Sequence, residues 1–332
     1  MSAIVVLGAG AWGTALAITL ARGGREVTLC VRRRDHLDAL RTTRTNAAYL
    51  PGLELPASLH LTADWPEAVG NAATIVMAIP SRYARAALAP MAGVIPPGAT
   101  IVSVTKGIER ETLLTMTRMV AAITQRETGV AVLSGPGFAA EIALGKPAAL
   151  VAAATDDRLA ASVRNCFAVR PLRVYNSTDV IGVELGGTVK NIIAIAAGIA
   201  DGLELGSSAR AALITRGLAE MTRLAVAAGG RRETLSGLAG LGDMILTCYG
   251  DLSRNRALGL AVARGEAPPA QADGHPVAEG MANAQAIRAL AARMQIEMPI
   301  VTAVCRILYE KAPVNAMVDE LLSRQLKAEF EG

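Results

Sequence analysis

Aromatic residues are scarce, 3% of the chain, so no interleaved platform exists on which nucleic-acid bases stack. Neither sign of charge dominates: 33 Lys and Arg stand against 29 Asp and Glu, a net charge of +4. That is too mild and too dispersed for a nucleic-acid binder working through a basic face. Cys30, Cys166, Cys248 and Cys305 form no Cys-x-x-Cys pair, and His36, His60 and His275 are equally scattered. Reduced, mostly buried thiols are expected, and no metal site. The chain also lacks a Gly-x-Ser-x-Gly elbow and a Gly-Lys-Ser/Thr phosphate loop, which counts against an esterase or a P-loop nucleotidase.

Hydrophobic residues reach 52%, yet an uninterrupted apolar span is missing too. One long uncharged run, residues 86–105, is long enough to cross a bilayer, but Pro90, Gly93, Pro96, Pro97 and Gly98 punctuate it. The start, Met1-Ser2-Ala3-Ile4, carries no basic segment before its apolar run, so neither a signal nor a transit peptide is expected. The expectation is a cytoplasmic protein with no integral membrane segment. Its 332 residues suffice for two cores.

What is present is a strand and helix alternation. Apolar runs of strand length at 4–7, 27–31, 74–79, 100–104 and 130–133 are separated by stretches of helical period such as 12–22 and 112–125. This predicts an α/β fold, a doubly wound parallel sheet. Residues 148–153 and 172–175 extend it by two strands around a helix over 157–167. Beyond Tyr175 strand signals stop. Ser177-Thr178-Asp179 reads as an N-cap group, followed by helices over 180–201, 209–228, 282–294 and 300–309. The predicted division is 1–178, a dinucleotide-binding domain, and 179–332, an all-helical substrate and catalytic domain.

Gly8-Ala9-Gly10-Ala11-Trp12-Gly13 follows a strand and opens a helix. Gly8 permits the tight turn, Gly10 lets backbone approach a pyrophosphate, and Gly13 allows close helix-to-sheet packing. A purely structural glycine turn is the bland alternative. At the end of the second strand an NAD site normally has an acid, but here Cys30-Val31-Arg32-Arg33-Arg34 precedes Asp35. Guanidinium groups there suit a 2′-phosphate, or they form a solvated basic turn.

Ile79-Pro80-Ser81, Thr105-Lys106-Gly107 and Ser134-Gly135-Pro136-Gly137 all follow predicted strands, so they should line one crevice with the first glycine turn. Lys106 is placed either to bind an anionic substrate or simply to meet solvent. Lys190 stands in an otherwise apolar helix behind Gly186 and Gly187, which cost about 1 kcal/mol each unless something packs closely there. A desolvated lysine near other cations passes protons at neutral pH, whereas a snorkelling one does not. Asp243 and Thr247 share one helix face, and Asp243 either holds Lys190 or acts as an N-cap. Ser253-Arg254-Asn255-Arg256 gathers a hydroxyl, a guanidinium and an amide at a helix start, suited to phosphate or to ordinary capping.

Taken together these residues, with Asn46-Ala47-Ala48-Tyr49-Leu50-Pro51 and Val277-Ala278-Glu279-Gly280, resemble the NAD(P)-dependent glycerol-3-phosphate dehydrogenases, specifically the bacterial biosynthetic enzymes. The resemblance implies a Rossmann-type sheet domain, an all-α C-terminal domain, and reversible reduction of dihydroxyacetone phosphate. It implies Lys190 as the catalytic lysine with Asp243 and Lys106, and substrate contacts from Lys106, Gly135, Gly137, Asp243, Ser253, Arg254 and Asn255. Cofactor contacts would come from Gly8, Gly10, Ala11, Trp12, Gly13, Arg32, Arg33, Tyr49, Lys106, Ala139, Arg254, Val277 and Glu279. NADPH is the expected cofactor with NADH possible, the partner a small phosphorylated substrate, and the assembly a homodimer. The family usually has Ser or Thr where this chain has Gly137, so a hydroxyl contact is missing. The rival readings are a two-domain NADPH-dependent ketoacid or β-hydroxyacid reductase, which needs no phosphate clamp, and a non-catalytic NADPH sensor, which needs neither Lys190 nor Asp243.

Overall fold

The computed structural model describes residues 3–124, 128–266, 278–325 and 328–329. Its strands are β1 (Ile4–Leu7), β2 (Val27–Cys30), β3 (Thr45–Asn46), β4 (Leu50–Glu54), β5 (His60–Thr62), β6 (Thr74–Met77), β7 (Thr100–Ser103), β8 (Gly129–Ser134), β9 (Ala148–Ala153) and β10 (Leu172–Ser177). All four residues of β1 are buried, the sign of a strand covered by helices on both faces. The main sheet has the order β10-β9-β8-β7-β6-β1-β2-β5. From β5 to β8 all neighbours are parallel. The chain leaves β1 for β2 on one side and later returns to β6 on the other, so a crevice opens where the two directions part.

The two added strands are present but reversed: β9 runs antiparallel to β8 and parallel to β10. The connection after β8 holds only a five-residue helix, Ala139–Ala143, about 7.5 Å long. That is far short of the roughly 20 Å needed to return to the start of a strand this long, so the chain re-enters from the same end. The helix expected over 112–125 is shorter, Met116–Ile123. Glu109 pairs with Arg85 at 2.6 and 2.8 Å, accepts from the Thr112 hydroxyl, and takes its backbone into a tight loop closed by the Glu109 N–H to Leu114 carbonyl bond.

From Val180 onward every described element is helical. Asp179 caps the first helix by accepting from the Gly182 amide at 2.9 Å. That helix, Val180–Gly202, is apolar and long enough to cross a membrane, but 94% of its apolar window is buried inside the protein; it is a core helix. Its closest neighbour is the helix Arg254–Ala263. A Cβ on Gly198 would lie 2.1 Å from the Arg256 carbonyl oxygen, and one on Gly259 2.1 Å from that of Ile195. The two backbones therefore touch, which fixes Ser253, Arg254 and Asn255 relative to Lys190.

Separate apolar clusters fill the sheet half and the helical half. Glu184 joins the two halves: its carboxylate accepts from the Thr117 amide at 2.8 Å and hydroxyl at 2.6 Å, capping the helix Met116–Ile123 from outside. Glu220, on the helix Gly206–Ala227, likewise accepts from the amides of Ile300 at 2.7 Å and Val301 at 3.3 Å, at the start of the helix Pro299–Glu310. Burial outweighs these donors and pushes the Glu220 carboxyl up to about 7. A carboxyl raised on folding gives its full stabilising contribution below its unfolded value and loses it as pH climbs through the folded value. Relative to Glu220→Gln, the parent is expected to lose on the order of 3 kcal/mol of unfolding free energy between pH 4.5 and 7.5. Denaturant titrations at both pH values check this; parallel pH dependence in the two proteins contradicts it.

Candidate active site

The loops after β1, β6, β7 and β8 emerge on one edge of the sheet and face the helical half. Gly8, at φ +109°, has no room for a side chain: a Cβ would lie 2.6 Å from the Ala78 carbonyl oxygen. One on Gly13 would lie 2.0 Å from the Gly8 carbonyl oxygen, whereas nothing lies within 4 Å of the Cβ position of Gly10. The turn is thus tight on the protein side and open on the other. Ala11 and Trp12 begin the helix Ala11–Arg22, whose first amides have no partners within the helix and attract an anion. Asn46 braces this turn by donating to the Ala9 carbonyl at 3.0 Å and the Thr14 hydroxyl at 2.7 Å. Its oxygen meets His36 Nε2 at 3.1 Å, and the His36 ring leans on Tyr49.

Arg32 and Arg33, both exposed, follow β2. The Arg32 guanidinium lies 5.7 Å from the Tyr83 ring centre, while Arg33 pairs with Asp35 at 2.8 Å. The open space at Gly10, the helix start and the exposed Arg32 head fit a dinucleotide carrying a 2′-phosphate.

The catalytic candidates converge on one carboxylate. Leu238–Gly242 is wound wide, with the Gly242 amide bonded to the Gly237 carbonyl five residues back. This delivers Asp243, wholly buried, to the face of the central helix. Lys190 Nζ donates to Asp243 Oδ1 at 2.8 Å and to the Thr247 hydroxyl at 2.6 Å. Lys106 Nζ donates to Asp243 Oδ2 at 2.7 Å and to the Gly135 carbonyl at 3.3 Å, and it lies 5.9 Å from the Trp12 ring centre. Desolvation lowers Lys190 to about 8, against the pull of Asp243 and with the push of Lys106. The glycines before it have the expected reason: Cβ atoms on Gly186 and Gly187 would lie 2.6 Å from the Ala239 carbonyl oxygen and 2.7 Å from Ser134 Oγ.

Ser253 caps the helix Arg254–Ala263 by accepting from the Arg256 amide. Arg254 is exposed and has no ion pair among the described residues. The Asn255 side chain is oriented by two bonds: it donates to Asn191 Oδ1 at 3.0 Å and accepts from the Gly280 amide at 2.9 Å, which uses one of its two donor sites and one of its two acceptor sites. Glu279 opens the helix Glu279–Arg293 beside Asn191, 3.5 Å away. Gly137 packs near Ile142 and Trp12, and Ala139 starts the short helix after β8. Val277 lies outside the described residues. Asn283, which donates to the Lys106 carbonyl, is a site residue the sequence reading did not include; an amide on the helix face shared with Gly280 and Ile287 was the available signal.

The chain resembles known proteins over nearly its whole length. Residues 3–160 match the family described as NAD-dependent glycerol-3-phosphate dehydrogenase N-terminus, and residues 179–319 its C-terminus. The chain is 50% identical over 331 residues to a glycerol-3-phosphate dehydrogenase [NAD(P)+] of Thiobacillus denitrificans, covering 98% of this chain and 99% of the relative. It is 47% identical over 329 residues to the enzyme of that name in Geobacter sulfurreducens, covering 98% of each. The crystal structure of glycerol-3-phosphate dehydrogenase from Coxiella burnetii superimposes with a TM-score of 0.92 at 41% identity, over 97% of this chain and 99% of that one.

The two inner glycines of the first turn should separate in experiment. Gly10→Ala is expected to leave thermal stability unchanged or slightly higher, since its backbone suits alanine, while weakening dinucleotide binding at least tenfold, about 1.4 kcal/mol. Gly13→Ala is expected to lower the melting temperature, because its methyl overlaps the Gly8 carbonyl. Differential scanning calorimetry with dinucleotide titration reads both, and equal melting losses in the two variants contradict the packing argument.

Proposed function

Because the chain belongs to the NAD-dependent glycerol-3-phosphate dehydrogenase family, we propose that it reduces dihydroxyacetone phosphate to sn-glycerol 3-phosphate with NADPH or NADH, with Lys190 as the proton donor. The observation that carries this is the buried Lys190–Asp243–Lys106 cluster in the crevice beside the dinucleotide turn. When bound, the reduced nicotinamide supplies a hydride to the ketone carbon. Lys190 donates a proton to the ketone oxygen, which its Asp243 and Thr247 partners hold it in place to meet. Two ammonium groups on one carboxylate leave a net positive charge in a site poor in water, and this favours oxygen as it becomes an alkoxide. Reduction needs the protonated lysine, so the rate falls as pH rises through about 8.

Arg254, the Ser253 hydroxyl and the helix-start amides of Arg254 and Asn255 hold the substrate phosphate. Gly135 and Gly137 offer backbone on the opposite wall, without a side-chain hydroxyl at Gly137. Ala11, Trp12 and the glycine turn hold the pyrophosphate, Arg32 and Arg33 the 2′-phosphate, and Tyr49, Ala139 and Glu279 border the cofactor. Residues 1–178 carry the cofactor and 179–332 the substrate clamp and proton donor. The product serves phospholipid synthesis, and the working form is a cytoplasmic homodimer.

Steady-state assays with saturating NADPH test the roles. Lys190→Ala should cut kcat by roughly 10²- to 10⁴-fold. Arg254→Ala should cut kcat/KM for dihydroxyacetone phosphate by roughly two orders of magnitude, yet much less for unphosphorylated dihydroxyacetone, a poor substrate already because remote phosphate binding aligns the ketone. Comparable losses on both substrates remove the clamp from Arg254.

A further inference from the structure

Asn283 stands on a helix of the helical half, yet three of its four hydrogen bonds reach the sheet half, two on the loop after β7 and one at the start of the helix Ser81–Leu88. Its Oδ1 accepts from the Ser81 hydroxyl and the Ile108 amide, each at 3.2 Å. Its Nδ2 donates to the Lys106 carbonyl at 3.3 Å and, within its own helix, to the Glu279 carbonyl at 2.9 Å. A carboxamide has two acceptor and two donor sites, and here all four are used at a residue 3% exposed. Gly107 is shaped to receive it: a Cβ there would lie 2.7 Å from Asn283 Oδ1 and 2.6 Å from Ser81 Oγ. On the far side, the Thr105 hydroxyl has both the Met77 and Ile79 carbonyls within hydrogen-bond reach, at 3.1 and 2.7 Å. The backbone of Lys106 is thus held between the two halves of the molecule.

We propose that Asn283 is a positioning residue that sets where Lys106 presents its ammonium to Asp243 and the substrate, making the sheet half's lysine part of the site only when the helical half is docked. This rests on the assignment of Lys106 and Lys190 to the reaction. Reacting groups displaced by about 1 Å lose up to roughly 10²-fold in rate, and Asn283 grips the Lys106 carbonyl and the Ile108 amide directly, whereas the Arg110–Gln285 bond at 3.1 Å ties the same loop to the helical half four residues farther along. Displacement also changes the charge around Lys190. The groups facing it are Asp243, Lys106 and Glu279, with the Cys248 thiol nearby, itself raised to about 12 and neutral. Lys106 is the like charge among them, so moving it away raises Lys190.

The test compares Asn283→Ala, Lys106→Ala and the double variant in the full chain, measuring kcat, KM and the pH profile of kcat with dihydroxyacetone phosphate and NADPH. Asn283→Ala is expected to lower kcat roughly 10- to 100-fold with the alkaline limb moved to higher pH, and to cost no more than about twofold when Lys106 is already alanine. The same fold-loss in both backgrounds, or a parental pH profile, overturns the proposal. A Lys106→Ala enzyme with parental kcat overturns the catalytic assignment instead. Gly107→Ala pushes the same contact apart from the loop side and decides the question where Asn283→Ala does not fold: it should show the same lowered kcat and raised limb, and parental values for both count against Asn283.

Discussion

Asp243 is reached by no water and holds two ammonium groups, one on each oxygen. Removing one partner of a buried pair typically costs about 3–5 kcal/mol, because the remaining charge is left without compensation in a poorly polarisable interior. The cluster therefore constrains everything that delivers it. Lys106 arrives on the loop after β7, Lys190 on the central helix, and Asp243 after the wide turn Leu238–Gly242. Glycines at 186, 187 and 240 bring these backbones close enough to meet: a Cβ at each would lie within 2.7 Å of a neighbouring oxygen.

The same constraint links folding to reactivity. Lys190 is buried on an apolar helix, and burial lowers its proton affinity while Asp243 favours its charged form. The balance leaves a proton donor working near neutral pH, and it depends on a lysine from the other half of the molecule. Glu184 capping the helix Met116–Ile123 and Asn283 gripping the Lys106 loop hold the halves in register. Substrate and cofactor groups then face one another across a crevice whose walls come from both halves.

Much of this was legible in the sequence because the signals were local. Apolar strands such as Ile4–Leu7 and Ala148–Ala153, the capping group at Asp179, and an isolated lysine and an isolated carboxylate in apolar helices each carry their meaning within a few residues. Non-local effects were not legible. The reversal of β9 depends on how far a five-residue helix reaches, and β5 is a short edge strand whose one apolar residue is Leu61, paired on one side alone. The loop replacing the start of the helix after β7 is set by an ion pair with Arg85, far back in the chain. Asn255 reads as a phosphate ligand by its spacing, but the bonds to Asn191 and Gly280 that orient its side chain come from distant parts of the chain. Asn283 could be read only as a polar residue on an apolar helix face, since three of its partners, Ser81, Lys106 and Ile108, belong to the other half.

One carboxylate holds Lys190 and Lys106 together, and their repulsion tunes the proton donor. The most direct measurement of this is an NMR titration of the Lys190 side chain in protein labelled at lysine 13Cε, in the parent and in Lys106→Ala. The account predicts a midpoint near 8 in the parent and a higher one in the variant, because a like charge has been removed. A parental midpoint at the ordinary lysine value, about 10.4, or one that Lys106→Ala leaves in place, would contradict it.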